Sequence, residues 1–265
     1  MNIIKNANRV VVKVGSSTLT YENGKLNLAR IERLVRVLAD YRNAGKEVVL
    51  VSSGAICAGA AVLRFDHRPA STPEKQAAAA VGQSELMRLY ANDFANYGYP
   101  VGQLLLTREV IDNQTARQNA INTLEELLAF SCVPIVNEND TISFEEIEIG
   151  DNDTLSAYVA VLCHADALIL LSDIDGFYDS DPRTNPNARL IPTVAKIDDS
   201  ILACAGDSAT NRGTGGLITK LHAAGIAGEA GIPMFLVNGS DPAVLYDLIE
   251  GRHVGTYFMS GGAKD

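Results

Sequence analysis

The feature that most constrains the fold is an alternation, along the whole chain, of short apolar runs with segments of helical periodicity. Arg9–Val14, Glu47–Val51 and Ala167–Leu171 are nearly continuous apolar runs, typical of strands buried on both faces of a parallel sheet. Asn27–Ala44 instead carries apolar residues at helical spacing. The alternation predicts an α/β fold with a doubly wound sheet and right-handed crossovers. No linker divides the 265 residues, so we expect a single domain with two functional halves.

The same two patterns continue toward the end of the chain. Further strands are predicted at Pro100–Leu106, Val133–Val136 and Met234–Val237. Further helices are predicted at Gln76–Phe94, Thr115–Phe130, Asn152–Leu162, Leu217–Ala230 and Pro242–Glu250. Ile142–Ile149 partly alternates, which predicts an exposed hairpin covering a site. The Asp- and Pro-rich stretch Asp173–Pro192 predicts a long irregular loop.

Composition and charge restrict the class of partner. The formal net charge is −10 and no basic stripe is evident, which excludes nucleic acid as the main partner but allows a phosphorylated substrate held by a few lysines. No apolar run reaches transmembrane length and no signal-peptide pattern is present, so we expect a cytoplasmic protein without a membrane partner. The histidines lack metal-ligand spacing, so no metal-binding residue is assigned. Widely spaced cysteines predict buried thiols, at Cys57, Cys132, Cys163 and Cys204.

Lys13 interrupts the apolar run of the first strand near its carboxyl end, where α/β sheets bind ligands. The small residues Gly15, Ser16 and Ser17 follow, and they allow backbone N–H groups to approach an anion. A lysine beside such a turn indicates phosphate binding. The alternative is a lysine that leaves the strand and extends to water, because the motif is neither a Walker loop nor a dinucleotide fingerprint.

Three polar clusters in the first part of the chain follow strands or begin helices. Ser52–Ala55 could direct free N–H groups of a helix start at a carboxylate or phosphate, or could be an ordinary helix cap. Asn137–Asp140 suits an amine or hydroxyl ligand, or could be a solvated loop. Gly150–Asp153 places a carboxylate near a helix N-terminus, where the macrodipole favours it, although capping alone would also explain the pattern.

Two further clusters in the second part of the chain suit a nucleotide. Leu170–Asp173 ends a strand in Ser-Asp and could contact a sugar or base, with a plain turn as the alternative. Gly213–Lys220 places glycines and a threonine before a helix whose first turn carries Lys220, which favours a polyphosphate over a mobile surface loop. All five clusters should share one edge of the sheet, with Lys13 and Lys220 on either side of a transferring phosphoryl group.

The sequence resembles a known family, the amino acid kinase superfamily, and within it the branch that phosphorylates L-glutamate. The motifs that carry the resemblance run in order from residue 11 to 221: VVKVGSSTLT at 11–20, VSSGAICAG at 51–59, AAVGQSELM at 79–87, GQLLLTR at 102–108, PIVNENDT at 134–141, GDNDTLSA at 150–157, LLSDIDGFYDSDPRTNP at 170–186 and GTGGLITKL at 213–221. The combination of VNEND, GDND and TGGxxTK is far more specific than any single glycine-rich loop.

The resemblance implies a three-layer α/β/α sandwich around a mainly parallel, eight-stranded sheet. It implies that L-glutamate binds the N-terminal half and ATP, with Mg²⁺, the C-terminal half, giving glutamyl 5-phosphate, the first intermediate of proline biosynthesis. A homo-oligomer, either a dimer or a tetramer, and feedback inhibition by proline are further expectations of the family. Many members carry a C-terminal PUA domain, for which this chain shows no segment.

The resemblance also implies residue roles. Lys13 and Lys220 match the lysines that neutralise charge on the phosphoryl group, and Asp153 matches the carboxylate that holds them. The implied glutamate-binding set is Ser53, Gly54, Ala55, Asn137, Asp140 and Asn152. The implied nucleotide-binding set is Lys13, Gly15, Ser16, Ser172, Asp173, Thr214, Gly215, Gly216, Leu217, Ile218, Thr219 and Lys220.

Two alternatives to glutamate phosphorylation stay open at the level of sequence. A sibling kinase would act on N-acetylglutamate, aspartate, UMP or carbamate, but VNEND and GDND fall where the substrate pockets of siblings should differ. A non-catalytic sensor of glutamate or proline would be expected to have lost a catalytic lysine, whereas Lys13, Asp153 and Lys220 are all present.

Overall fold

The structure is a computed structural model that describes residues 3–142, 152–182, 184–206 and 216–261. The strands in these residues are β1 (Arg9–Val14), β2 (Glu47–Ser52), β3 (Val101–Leu106), β4 (Val133–Glu138), β5 (Ala167–Ser172), β6 (Thr193–Val194), β7 (Met234–Asn238) and β8 (Thr256–Phe258). The helices are α1 (Ile3–Asn6), α2 (Ser16–Leu19), α3 (Leu28–Asn43), α4 (Ala55–Val62), α5 (Thr72–Ala95), α6 (Arg108–Asp112), α7 (Gln114–Ala129), α8 (Asn152–Leu162), α9 (Asp199–Gly206), α10 (Leu217–Glu229) and α11 (Val244–Ile249).

The strands form one sheet, which has eight strands within the described residues, in the order β3-β4-β2-β1-β5-β7-β8-β6. Neighbouring strands pair in parallel except β7 and β8, which are antiparallel. The predicted α/β class with a mainly parallel sheet is therefore confirmed. The predicted hairpin at Ile142–Ile149 lies, beyond Ile142 itself, outside the described residues.

Helices cover both faces of the sheet and create two hydrophobic cores. Alternate residues of β1 divide between them: Val10 and Val12 pack in the core beneath α3 and α5, whereas Val11 packs in the core with α7, α8 and α10. Successive side chains of a strand point to opposite faces, so Lys13 shares the face of Val11. The chain thus forms a three-layer α/β/α sandwich, and the alternation directs the Lys13 side chain toward α8 and α10.

Several elements differ from the sequence-based expectation. The strands β6 and β8 and the helices α1, α2, α6 and α9 were not predicted, because they are too short to show a period. The polar residues Asn137 and Glu138 belong to β4 rather than following it. Among the cysteines only Cys163 is fully buried, while the other three are half-buried; all four are free thiols. The stretch Asp173–Pro192, where described, is irregular apart from an isolated bridge between Tyr178 and Leu190.

Two glycines allow α4 and α5 to pack with their backbones in contact. A Cβ atom at Gly59 would lie 1.7 Å from the carbonyl oxygen of Ala78, and one at Gly82 would lie 1.8 Å from that of Ala55. Helix α5 begins with a capping box, in which Ser71 accepts from the backbone N–H of Glu74 and the Glu74 carboxylate accepts in return. The helix pair therefore depends on small residues at the contact and not on large apolar side chains.

Gly59→Ala is expected to lower the free energy of unfolding by about 1–3 kcal/mol, because the added methyl group overlaps backbone atoms of α5 that cannot move independently. The matched control is Gly225→Ala in α10, where a Cβ meets nothing within 4 Å. That variant should be about 0.5–1 kcal/mol more stable than wild type, because alanine is the better helix former. Urea unfolding followed by circular dichroism measures both values, and equal stability of the two variants would contradict the close-packing account.

Candidate active site

The candidate site lies where the carboxyl ends of β1, β2, β4 and β5 meet. These strands are parallel neighbours, so their ends fall on the same edge of the sheet, as predicted. The chain runs from β1 to its neighbour β2 on one side and later reaches its neighbour β5 on the other. The carboxyl ends of the neighbouring strands β1 and β5 therefore form a topological switch point, which is where open α/β sheets bind ligands.

Lys13, Asp153 and Lys220 form a buried cluster at this edge, called here the lysine–aspartate cluster. The Lys13 Nζ lies 2.5 Å from Asp153 Oδ1, and the Lys220 Nζ lies 2.9 Å from Asp153 Oδ2. Asp153 is 0 % exposed, and Lys13 and Lys220 are 7 % and 6 % exposed. Three residues far apart in sequence thus meet through β1, the first turn of α8 and the first turn of α10.

In this cluster one carboxylate faces two lysines. Burial by itself would raise the pKa of Asp153, but the attraction of Lys13 and then of Lys220 outweighs burial and holds that pKa well below its ordinary value. Asp153 is therefore ionised at neutral pH, and it places two lysine side chains side by side in a water-poor position. Such a cluster is suited to bind and stabilise a polyanion.

The start of α10 adds further groups beside the cluster. The Thr219 hydroxyl donates to the Gly216 carbonyl oxygen at 2.7 Å and lies 3.3 Å from Asp153 Oδ2. Gly216 is the cap of the helix in an extended conformation and has no side chain to occupy the free N–H groups. Leu217 packs against the core, whereas the Ile218 side chain is exposed. Thr214 and Gly215 lie outside the described residues.

The turns after β1 and β5 approach each other next to Lys13. A Cβ atom at Gly15 would lie 3.7 Å from Lys13 Nζ and 3.9 Å from the carbonyl oxygen of Leu171, which places this turn between the lysine and β5. Ser16 begins the short helix α2. At the end of β5, Ser172 is buried and its hydroxyl donates to the exposed carboxylate of Asp173. These residues lie on the β5 side of the lysine–aspartate cluster.

The predicted glutamate-binding residues lie on the other side, at the ends of β2 and β4. The Asn152 Nδ2 donates to the Ser52 carbonyl oxygen at 3.0 Å, to Ser53 Oγ at 2.8 Å and to Asn137 Oδ1 at 2.9 Å. Gly54 follows with φ +96°, a left-handed conformation that favours glycine, and Ala55 begins α4. The structure thus brings Ser53, Asn137 and Asn152 together through direct hydrogen bonds.

Asp140 follows β4 and is half-buried. Burial, with repulsion from Glu138 as a smaller cause, raises the pKa of Asp140 to about 6. Within the described part of the chain no cation lies in ion-pair contact with this carboxylate. A half-buried carboxylate whose ionisation is costly favours a cationic ligand, because a positive charge would relieve that cost.

Gln83 and Tyr90 are the residues near the site that sequence reasoning missed. The Gln83 Oε1 accepts from Asn137 Nδ2 at 2.9 Å, and the Tyr90 hydroxyl lies 2.8 Å from Ser52 Oγ. Both belong to α5, and Gln83 stands in the AAVGQSELM motif. Nothing local in the sequence indicates these contacts, since the partners lie on separate strands.

Two negative findings apply to the residues that the structure describes. No group of three or more His, Cys, Asp or Glu side chains there could hold a metal ion. No helix there is both long and apolar enough to cross a membrane.

Comparisons with known proteins agree with this geometry. The sequence model of the Amino acid kinase family matches residues 8–238. In solved structures the fold is similar to an isopentenyl phosphate kinase, with a TM-score of 0.66 at 15 % identity over 95 % of this chain and 100 % of that one. It is also similar to the UMP kinase from Bacillus anthracis, with a TM-score of 0.62 at 17 % identity over 97 % of both chains. The chain therefore belongs to the amino acid kinase family.

Three relatives within that family are glutamate 5-kinases. The chain is 53 % identical over 261 residues to the glutamate 5-kinase of Clostridium perfringens, covering 97 % of both chains. It is 54 % identical over 255 residues to that of Clostridium tetani, covering 96 % of both chains. It is 52 % identical to that of Listeria innocua, covering 97 % of this chain and 95 % of the relative. These relatives match over nearly their whole length.

Proposed function

We propose that this chain is a glutamate 5-kinase, which transfers the γ-phosphoryl group of ATP to the γ-carboxylate of L-glutamate and releases ADP. The observation that carries the proposal is the lysine–aspartate cluster, in which two buried ammonium groups converge on one carboxylate at the ligand-binding edge of the sheet. Its full-length similarity to glutamate 5-kinases supports the choice of acceptor. The product, glutamyl 5-phosphate, is the first intermediate of proline biosynthesis.

The reaction needs positioning and charge stabilisation more than proton transfer. A γ-carboxylate has a pKa near 4 and is already an anionic nucleophile at neutral pH, so no general base is required. Its oxygen attacks the γ-phosphorus as the bond to the β-phosphate oxygen breaks and leaves its electron pair on ADP. Lys13 and Lys220 would contact the transferring group and reduce the repulsion between the two anions. Asp153 would hold both lysines in place.

The layout supports a division of the domain into two halves. Ser53, Asn137 and Asn152 cluster at the ends of β2 and β4, whereas Ser172 and Gly216 lie at the end of β5 and the start of α10. The lysine–aspartate cluster lies between the two groups. We therefore assign glutamate to the N-terminal half of a single domain and ATP to the C-terminal half.

Mg²⁺ would enter with the nucleotide. Both carboxylate oxygens of Asp153 face lysines, so this residue is not arranged as a metal ligand. Mg²⁺ commonly binds substrate phosphates and retains several waters, and when bound it would neutralise further charge on ATP. Cytoplasmic location remains a prediction from the sequence pattern, and a homo-oligomeric state and inhibition by proline remain predictions of the family resemblance.

Trapping the acyl phosphate with hydroxylamine tests the proposed reaction. Purified protein with ATP, Mg²⁺ and L-glutamate should form the γ-hydroxamate, with release of one ADP for each turnover. The same assay with N-acetylglutamate and aspartate, and ADP release with UMP or carbamate, tests the sibling activities. Turnover of one of those in preference to glutamate would contradict the proposal, and binding of glutamate without ADP release would indicate a sensor.

Asp140→Asn is expected to raise the KM for L-glutamate about tenfold or more and to leave the KM for ATP unchanged. The ionised Asp140 would pair with the substrate's α-ammonium, a charge-assisted contact made before and during transfer alike. Since the pKa of Asp140 is raised to about 6, the wild-type KM for glutamate should increase as the pH falls from 7.5 to 5.5. The variant, which has no titrating group at this position, should lose most of that dependence.

The same variant should be more stable than wild type at neutral pH. A carboxyl group whose pKa is raised on folding favours the folded state only while it is protonated, so its contribution is lost as the pH rises from about 4 through 6. Asp140→Asn should therefore gain about 1–3 kcal/mol at pH 7.5 and nothing near pH 4. Thermal unfolding at both pH values measures this gain in stability. In the kinetic experiment on the same variant, a rise in the KM for ATP with an unchanged KM for glutamate would contradict the assignment of halves.

A further inference from the structure

We propose that Gln83 is a positioning residue that fixes the orientation of Asn137 and Asn152, so that Asn152 Oδ1 is presented as an acceptor for the α-ammonium of glutamate. Gln83, Asn137, Asn152 and Ser53 form a connected set of hydrogen bonds, called here the amide relay. The inference rests on the proposed function, and it assigns to α5 a part in substrate specificity that the motifs alone do not indicate.

The orientation of the amide relay is fixed by a backbone N–H group, which can donate a hydrogen bond but cannot accept one. The backbone N–H of Glu138 donates to Asn137 Oδ1 at 2.9 Å. A backbone N–H can only donate, so the Asn137 atom that it meets must be the oxygen. The amide nitrogen of Asn137 then faces Gln83, whose Oε1 accepts at 2.9 Å. Because Asn137 is 2 % exposed, Gln83 replaces water as the partner of this donor.

The orientation of Asn137 in turn fixes that of Asn152. One side of the Asn152 amide meets Asn137 Oδ1 and the Ser52 carbonyl oxygen, which are both acceptors. That side must therefore be the nitrogen. The Asn152 Oδ1 consequently points the other way, where it is buried and has no donor within the described part of the chain.

A buried acceptor without a donor favours a ligand that can donate a hydrogen bond to it. Leaving such an atom unsatisfied is unfavourable, because it has lost water as a donor without gaining another, and a ligand N–H can remove this cost. The α-ammonium of glutamate offers three donors, whereas glutarate, which has the same two carboxylates and no amino group, offers none. A site with a fixed acceptor therefore rejects glutarate, because the acceptor would stay unsatisfied in that complex.

Helix packing brings Gln83 to this position. Gly82, the preceding residue, contacts the carbonyl oxygen of Ala55 so closely that a Cβ atom would lie 1.8 Å from it. This contact holds α5 against the start of α4, next to the end of β2. The Gln83 side chain can then reach Asn137 at the end of β4.

The test compares Gln83→Met, which removes the acceptor at similar size, with Gln83→Glu, which keeps an acceptor toward Asn137. The matched control is Gln118→Met: Gln118 is an exposed glutamine on α7 whose amide also pairs with an asparagine, Asn122, at 2.9 Å. The measurements are kcat and KM for L-glutamate, for glutarate and for ATP, with the thermal midpoint of each variant.

Gln83→Met should raise the KM for glutamate about tenfold or more, leave the KM for ATP within about threefold, and lower the preference for glutamate over glutarate about tenfold. Gln83→Glu should keep that preference within about threefold of wild type, and Gln118→Met should match wild type. If Gln83→Met does not fold, Gln83→Glu decides the question. A tenfold loss of the preference for glutamate over glutarate in Gln83→Glu overturns the inference.

Combining Gln83→Met with Asn137→Ala distinguishes an effect of Gln83 that acts through Asn137 from an effect on general packing. If Gln83 acts through Asn137, the double variant should lose little more of the preference for glutamate over glutarate than Asn137→Ala alone. If the losses of the two single variants add in full, the proposed role of the amide relay is overturned. A wild-type protein that does not phosphorylate glutamate overturns both this inference and the proposed function. An active wild type whose preference is unchanged in Gln83→Met overturns this inference only.

Discussion

Lys220→Ala is expected to lower kcat by about 10²–10³-fold while the KM for L-glutamate stays within about threefold of wild type. Lys220 is 6 % exposed and in contact with Asp153 at the start of α10, where a nucleotide's phosphates would bind. The loss of one buried charge directed at a developing anion typically costs about 3–4 kcal/mol of transition-state stabilisation. The effect should fall on kcat, because the charge on the attacking and transferring oxygens is greatest during transfer.

This variant should fold nearly as well as wild type, since one carboxylate faces two lysines in the cluster. Removing Lys220 leaves Lys13 and Asp153 paired at 2.5 Å, so the buried carboxylate keeps a cationic partner. Lys196→Ala removes the same charge from an exposed loop and should retain wild-type kcat. Steady-state kinetics with each substrate varied in turn, together with thermal unfolding, measures both expectations. A near-normal kcat in Lys220→Ala would remove this residue from the catalytic set.

The central strands of the fold could be predicted from sequence because of their burial. The strands β1, β2, β5 and β7 are covered on both faces, so they are almost entirely apolar and stand out against the helical segments between them. The strand order could not be read in the same way, because it depends on which helix faces pack together. The three-residue strand β8 is defined by its pairing with β7, and three residues do not establish a period.

The candidate site could be predicted in part. Lys13 and Lys220 each stand beside small residues at a strand or helix end, so a local signal indicates an anion-binding group in each case. Their convergence on Asp153 was an expectation of the family resemblance, and the structure places the three in contact. Gln83 lies within α5 and has no such signal. Its contact with Asn137, which is 54 residues away in sequence, exists only once α4, α5 and β4 have packed.

Asp153→Asn is expected to lower kcat by about 10²–10³-fold although Asp153 contacts no substrate in the proposed mechanism. Its two oxygens hold Lys13 and Lys220, so the amide would remove the negative charge between the two ammonium groups and leave them poorly oriented. Unlike Lys220→Ala, this variant should also lose about 3–5 kcal/mol of stability, because it leaves two like charges buried together. Urea unfolding measures the stability, and kinetics at saturating ATP and glutamate measures kcat.

A second substitution distinguishes an orienting role from a direct one. Adding Lys220→Met to Asp153→Asn removes one of the two neighbouring like charges, so the double variant should be more stable than Asp153→Asn alone. Its kcat should fall little further, because residues that act as a unit give non-additive losses. If instead the double variant lost the full product of the two single effects on kcat, Asp153 and Lys220 would act independently. A charge that merely attracts ATP at a distance would produce that result, whereas a carboxylate that holds the lysine in place would not.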